Sequence, residues 1–192
     1  MADPQEGVNP EPFAPNHPLP GDSMPDRASM LRVDQAGEFG ATRIYAGQLA
    51  VMGNRTPEAR VIARMAAQEA RHREIFDRMI GERGVRPTVL QPFWNVAGFA
   101  LGAVTALAGP RVAMACTAAI ETEIDRHYAE QIEQLGVDDP ELSDRVREFQ
   151  AEEVEHRDIA LAHHAEQAPA YPLLFAAIRL GCRAAIALSK RI

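Results

Sequence analysis

The chain has 192 residues, of which 24% are charged and only 6% aromatic, and its formal net charge is −7. That length suits one domain with a sizeable core, and plentiful Ala, Leu, Ile and Met beside so few aromatics favour helix over sheet. The acidic balance, with no long Lys/Arg run, excludes a general nucleic-acid binder. Cys116 and Cys182 stand far apart with no Cys-x-x-Cys, which excludes a disulfide framework or a structural zinc site and fits a reducing compartment.

Residues 1–25 carry Pro4, Pro10, Pro12, Pro15, Pro18, Pro20 and Pro25, with Asp3, Glu6, Glu11 and Asp22 but no Lys or Arg. This composition predicts a mobile Pro-rich arm. His17 within it reads as solvated. No apolar run follows Met1, so no secretory signal is expected there, and acids without Lys or Arg do not read as a transit peptide.

A first helix is expected from about Asp26 to Met52, stopped by Gly53-Asn54. Thr56-Pro57-Glu58 restarts the chain with a cap, a proline and an acid in the first turn, giving a second helix over about 57–82. Residues 87–110 hold no charged side chain. Pro92 and Gly109-Pro110 bracket an apolar segment, about 93–109, shorter than the roughly 20 residues that span a bilayer. A third bundle helix is expected over about 110–135. Gly136-Val137-Asp138-Asp139-Pro140-Glu141 repeats the stop-and-restart chemistry, and a fourth follows over about 140–167. After Pro169-Ala170-Tyr171-Pro172 comes a C-terminal amphipathic segment with Arg179, Arg183, Lys190 and Arg191.

The chemistry lies in a duplication. Glu38 precedes the pair Glu69 and His72, and Glu121 precedes the pair Glu153 and His156. The two sets are offset by 83 residues at the lone glutamates and by 84 at both members of the Glu-x-x-His pair. An i,i+3 spacing puts Glu and His on one helical face. Two single-Glu helices and two Glu-x-x-His helices form the ligand set of a carboxylate-bridged di-iron or di-manganese bundle. Alone, any of these glutamates reads as a surface acid; the paired offsets do not. Four carboxylates in a dry core repel unless cations neutralise them. Carboxylate and imidazole ligands suit iron or manganese better than zinc or copper. Glu123, Glu152 and Glu155 are alternative carboxylates, but Glu121 and Glu153 keep the repeat spacing. His163 shares a face with His156, whereas His164 reads as exposed.

The flanking sequence resembles the demethoxyubiquinone hydroxylase family of ubiquinone biosynthesis. The matching stretches include Arg32-Val33-Asp34-Gln35-Ala36-Gly37-Glu38-Phe39-Gly40-Ala41, Arg43-Ile44-Tyr45-Ala46-Gly47-Gln48 and Arg86-Pro87-Thr88-Val89-Leu90. Trp94-Asn95-Val96-Ala97-Gly98-Phe99-Ala100-Leu101-Gly102, His127-Tyr128 and Glu152-Glu153-Val154-Glu155-His156-Arg157-Asp158 match as well. The likeness covers about residues 27–192. It implies an all-α, ferritin-like four-helix bundle of two helical-hairpin repeats, with an apolar interfacial helix between the halves and a C-terminal amphipathic helix. The expected organisation is an arm over 1–25 and a di-iron hydroxylase domain over 26–192.

The resemblance makes Glu38, Glu69, His72, Glu121, Glu153 and His156 the ligands of two iron ions, with Glu69 and Glu153 bridging. His127 and Tyr128 match a pair implicated in proton or electron transfer, and Asp34 and Asp158 become candidates to orient a ligand histidine. The implied activity is O2-dependent hydroxylation of a polyprenylated demethoxybenzoquinol ring, with electrons from the reduced quinone or from NADH. No Gly-x-Gly-x-x-Gly is present to build a dinucleotide domain. The expected partners are the quinol, membrane lipid, other ubiquinone-biosynthesis proteins and a second copy of the chain. Gly98-x-x-x-Gly102 offers a close helix contact, between subunits or otherwise. The expected location is peripheral, on the cytoplasmic face of a bacterial inner membrane, or on the mitochondrial inner membrane for a processed form. The rival readings are a ferritin-like iron oxidation and storage protein and another di-iron quinol oxidase.

Overall fold

Proline writes the start of nearly every helix. Pro57, Pro92, Pro110, Pro140 and Pro172 each sit in the first two positions of a helix, where the missing N–H costs nothing and the fixed φ is already helical. The computed structural model describes residues 26–54 and 56–191, so the arm expected over 1–25 lies outside the described residues. The helices are α1 (Arg27–Met52), α2 (Pro57–Glu82), α3 (Gln91–Leu107), α4 (Pro110–Leu135), α5 (Pro140–Ala162) and α6 (Tyr171–Ser189). Asp26, Thr56 and Asp139 cap α1, α2 and α5 by accepting from the backbone N–H three residues on. Gly53 and Gly136 end α1 and α4 at φ 62° and 52°, a conformation a side chain would strain.

The expected fourth bundle helix stops five residues short of 167. His164 turns left-handed at φ 64°, and residues Ala165–Gln167 form a separate 3-10 turn. The cause lies downstream. Ala168 precedes Pro169 and is held extended, at φ −64° and ψ 141°, where a helix cannot run through. The turn also seats Ala165 fully inside the core.

Helices α1 and α2 form one hairpin and α4 and α5 another, and together they make the bundle. Two hydrophobic clusters fill it, one around Tyr45, Met65 and Met114 and the other around Phe76, Phe149 and Leu142. Helix α3 lies along α1, and α6 along α4.

The α1–α3 contact is the tightest in the fold. A Cβ added at Gly102 would lie 1.9 Å from the Ile44 carbonyl oxygen, and one at Gly47 would lie 2.1 Å from that of Phe99. Gly98-x-x-x-Gly102 is therefore used within the chain, against α1, rather than between subunits. The outer faces of α3 and α6 carry Phe93, Val96, Val104, Leu107, Leu173 and Leu180, each more than half exposed. Helix α6 is the one described helix long and apolar enough to cross a membrane by length and composition.

Candidate metal centre

Each bundle helix contributes from near its middle, so hairpin packing brings the four contributions to one level. Glu38 comes from α1, Glu69 and His72 from α2, Glu121 from α4, and Glu153 and His156 from α5. None is more than 1% exposed. They form two overlapping groups, Glu38, Glu69, His72 and Glu153, and Glu69, Glu121, Glu153 and His156. Within each group, one ligand atom per residue lies within 4.8 Å of all the others. Glu69 and Glu153 belong to both groups, as residues shared by two cations would.

The Glu153 carboxylate divides between the halves. One oxygen lies 3.2 Å from His72 Nδ1 and the other 3.4 Å from His156 Nδ1. His72 Nδ1 is also 3.5 Å from Glu38, and His156 Nδ1 is 3.1 Å from Glu69. Yet both Nδ1 atoms, both oxygens of Glu69 and of Glu153, and one oxygen each of Glu38 and Glu121 have no hydrogen-bond partner. Eight buried lone-pair atoms facing a common centre without donors is a costly arrangement for a protein alone. It is the donor set two divalent cations require, so the residues fit a di-metal group.

The electrostatics agree. Burial pushes the Glu69 and Glu121 carboxyls well above the usual range, with Glu153 the next largest cause in both. Glu153 is raised as well, chiefly by burial. Burial works to lower the His72 pKa, but Glu153 and Glu38 outweigh it and lift it to about 10. His156 is lowered by burial. Without added positive charge this cluster would hold protons, and a cation is what replaces them.

The far ring nitrogens fix the histidine orientation. His72 Nε2 lies 3.0 Å from Glu152 Oε2, and His156 Nε2 lies 3.1 Å from the Gln68 side-chain amide oxygen Oε1. Both partners accept, so Nε2 carries the proton and Nδ1 offers its lone pair inward. Phe149 stacks on the His72 ring at 4.0 Å and holds its plane. The lone glutamates are held in the same reciprocal way. Tyr45 donates to Glu121 at 2.7 Å, and Tyr128 donates to Glu38.

Three expectations need correction. Asp34 accepts from His127 at 3.2 Å and from Gln131 at 2.7 Å, and touches no ligand histidine. Asp158 is largely exposed and pairs with Arg157. His163 leaves the shared face because α5 ends at Ala162, and it faces Glu58 at 3.8 Å. His127 is buried one turn beyond Glu123, against Asp34, while Tyr128 reaches the centre through Glu38.

The alternative carboxylates have other partners. Glu155 is exposed. Glu123, fully buried, is ringed by Arg126, Arg179 and Arg183 and fastens α6 to α4. Burial works to raise the Glu123 pKa, but the three guanidinium groups outweigh it and hold it down at about 2. Arg179 and Arg183 of the C-terminal amphipathic segment thus turn toward Glu123. Tyr45, Gln68 and the accepting role of Glu152 were missed from sequence. Their signal was present, since Tyr45 and Tyr128 are 83 apart and Gln68 and Glu152 are 84 apart, the ligand offsets themselves.

A cavity of about 600 Å³ opens beside the centre, between α1, α3, α4 and α6. Its wall includes Gly37 and Ile120, the neighbours of Glu38 and Glu121, and Phe93, which is 59% exposed and marks the mouth. The lining contains no ionisable side chain other than Cys182.

Against known proteins, the family described as Ubiquinone biosynthesis protein COQ7 matches residues 26–189. The chain belongs to this family. It is 53% identical over 178 residues to the 3-demethoxyubiquinol 3-hydroxylase of Rhodospirillum rubrum, covering 91% of this chain and 83% of that protein. It is 53% identical over 167 residues to the NADPH-dependent 3-demethoxyubiquinone 3-hydroxylase, mitochondrial, of Homo sapiens, covering 85% and 76%. To the 5-demethoxyubiquinone hydroxylase, mitochondrial, of Saccharomyces cerevisiae it is 38% identical over 179 residues, covering 85% and 77%.

Proposed function

We propose that this chain hydroxylates the ring of a polyprenylated demethoxybenzoquinol in ubiquinone biosynthesis. The observation that carries this reading is a buried, donor-free carboxylate and histidine cluster, with an apolar cavity whose wall includes Gly37 and Ile120, the chain neighbours of Glu38 and Glu121. Glu38, Glu69, His72, Glu121, Glu153 and His156 would hold two iron ions, with Glu69 and Glu153 belonging to both ligand groups. When bound, iron supplies the activation of O2 and the transfer of one oxygen atom to the ring.

The protein's own part is placement. The apolar lining takes the ring and the first units of its tail while excluding water, and the exposed faces of α3 and α6 lie in the membrane interface. That surface supports membrane association, and we assign the chain a peripheral position on the cytoplasmic face of a bacterial inner membrane, or on the mitochondrial inner membrane for a processed form. Tyr45 and Tyr128 hold the lone glutamates by their phenolic O–H groups. We assign the buried Asp34–His127 pair, in which Asp34 lies four residues before Glu38 on α1, a part in proton transfer at the centre's edge. The reductant is the quinol itself or a reduced nicotinamide nucleotide; NADPH is named for several mitochondrial relatives.

The test is O2-dependent conversion of a demethoxyquinol by the iron-loaded protein in lipid vesicles. Hydroxylated product is expected from the parent protein and none from Glu69→Ala. Turnover that survives Glu69→Ala overturns the assignment.

A further inference from the structure

Gln68 and Glu152 occupy equivalent positions, each directly before the glutamate of a Glu-x-x-His pair. Each reaches across to the histidine of the opposite helix, Gln68 on α2 to His156 and Glu152 on α5 to His72. The two are also joined, since the Gln68 amide donates to Glu152 at 3.3 Å. One chain of hydrogen bonds therefore runs from His156 through Gln68 and Glu152 to His72. Arg71 closes it from outside through the other Glu152 oxygen.

The geometry is symmetric and the chemistry is not. His72 donates to a carboxylate, whereas His156 donates to an uncharged amide. A carboxylate accepting the Nε2 proton draws it away and enriches the ring, so Nδ1 becomes a stronger metal donor. An amide oxygen does this less. Neither residue touches the centre, so each is a positioning residue acting through its histidine.

We propose that the two metal positions are inequivalent, and that Glu152, acting through His72, makes the Glu38–His72 position the tighter and the more electron-rich. This rests on the metal-centre reading above. Filling is then ordered. The position beside His72 loads first, and the one beside His156 is the weaker, more labile member of the pair.

The test is anaerobic titration of the full chain with Fe(II) by calorimetry, with Mössbauer spectra of the 57Fe-loaded protein as a second readout. The parent protein should show two resolved binding steps and two distinct Fe(II) doublets. Glu152→Gln makes both acceptors amides, so the tight step should weaken by about 10–100-fold toward the other, and the doublets should converge. The double variant Gln68→Glu/Glu152→Gln exchanges the two acceptors and should restore two separated steps. A merely structural role would lower the melting temperature in both variants without that restoration. Unchanged steps in Glu152→Gln with parent-like circular dichroism overturn the inference while leaving the di-metal centre standing. Fewer than two ions bound by the parent protein overturn both.

Discussion

Tyr45 on α1 donates a 2.7 Å hydrogen bond to Glu121 on α4, and Tyr128 on α4 returns the same contact to Glu38 on α1. Each tyrosine lies seven residues, two helical turns, after the lone glutamate of its own helix. The two helices hold one another's ligands. Burial raises both phenol pKa values well above the usual range, with the facing glutamate the next cause, so both stay O–H donors.

Tyr45→Phe therefore leaves a buried carboxylate oxygen without its donor, at a cost of about 1.5–3 kcal/mol for a bond to a charged group. The melting temperature of the metal-loaded protein should fall by several degrees. The Glu121 side should also lose metal first on dilution into chelator. Tyr128→Phe should do the same on the Glu38 side. A melting curve and metal-release time course that match the parent protein would show that the hydroxyls carry no such role.

The α1–α3 contact makes a steric prediction. Gly102→Ala places a methyl group 1.9 Å from the Ile44 carbonyl, and backbone cannot yield as a side-chain end can. Overpacking of this kind costs about 1–3 kcal/mol and should detach α3 from α1. Gly81→Ala, at an exposed position of α2 with open space around it, should instead stabilise by about 0.5–1 kcal/mol. Thermal melts of the two variants should move in opposite directions.

Acid stability should depend on Asp139. Burial works to raise its pKa, but Arg83, which grips both its oxygens, and the Leu142 N–H outweigh burial and lower it. A lowered folded-state value means the contribution is complete above the unfolded value of about 3.9 and is lost as pH falls through the lower folded value. Asp139→Asn keeps the cap but loses the ion pair, so its deficit, on the order of 1 kcal/mol, should be present at pH 7 and vanish toward pH 2. Chemical denaturation across that range measures it.

Neither cysteine should react at neutral pH. Burial raises both Cys116 and Cys182 to about 12, so almost no thiolate exists in the folded protein. Iodoacetamide at pH 8 should label both only after unfolding, as read by mass spectrometry. Rapid labelling of Cys182, which lines the cavity, in the folded protein would overturn this prediction.

The ligand set was legible because a duplicated i,i+3 pattern survives any packing arrangement: Glu and His on one face must point together wherever the helix lies. Helix starts were legible for a similar reason, since proline and the capping residues act on their own backbone. The end of α5 was not. It depends on Ala168 being extended before Pro169 and on Ala165 finding a place in the core, and only the second of these is tertiary.

By itself the sequence determined six helices in order, four glutamates and two histidines at matched offsets, and an uncharged segment between the halves. Those are local facts of spacing and backbone chemistry. Tertiary structure decided the rest. It gave the ligand histidines to Gln68 and Glu152 of opposite helices rather than to Asp34 and Asp158. It set the Gly98 and Gly102 face against α1, and turned Arg179 and Arg183 onto Glu123. Each of these is a contact between residues more than forty positions apart. Spacing along one helix fixes which face a side chain shares, but only the packing of a second helix decides what that face meets.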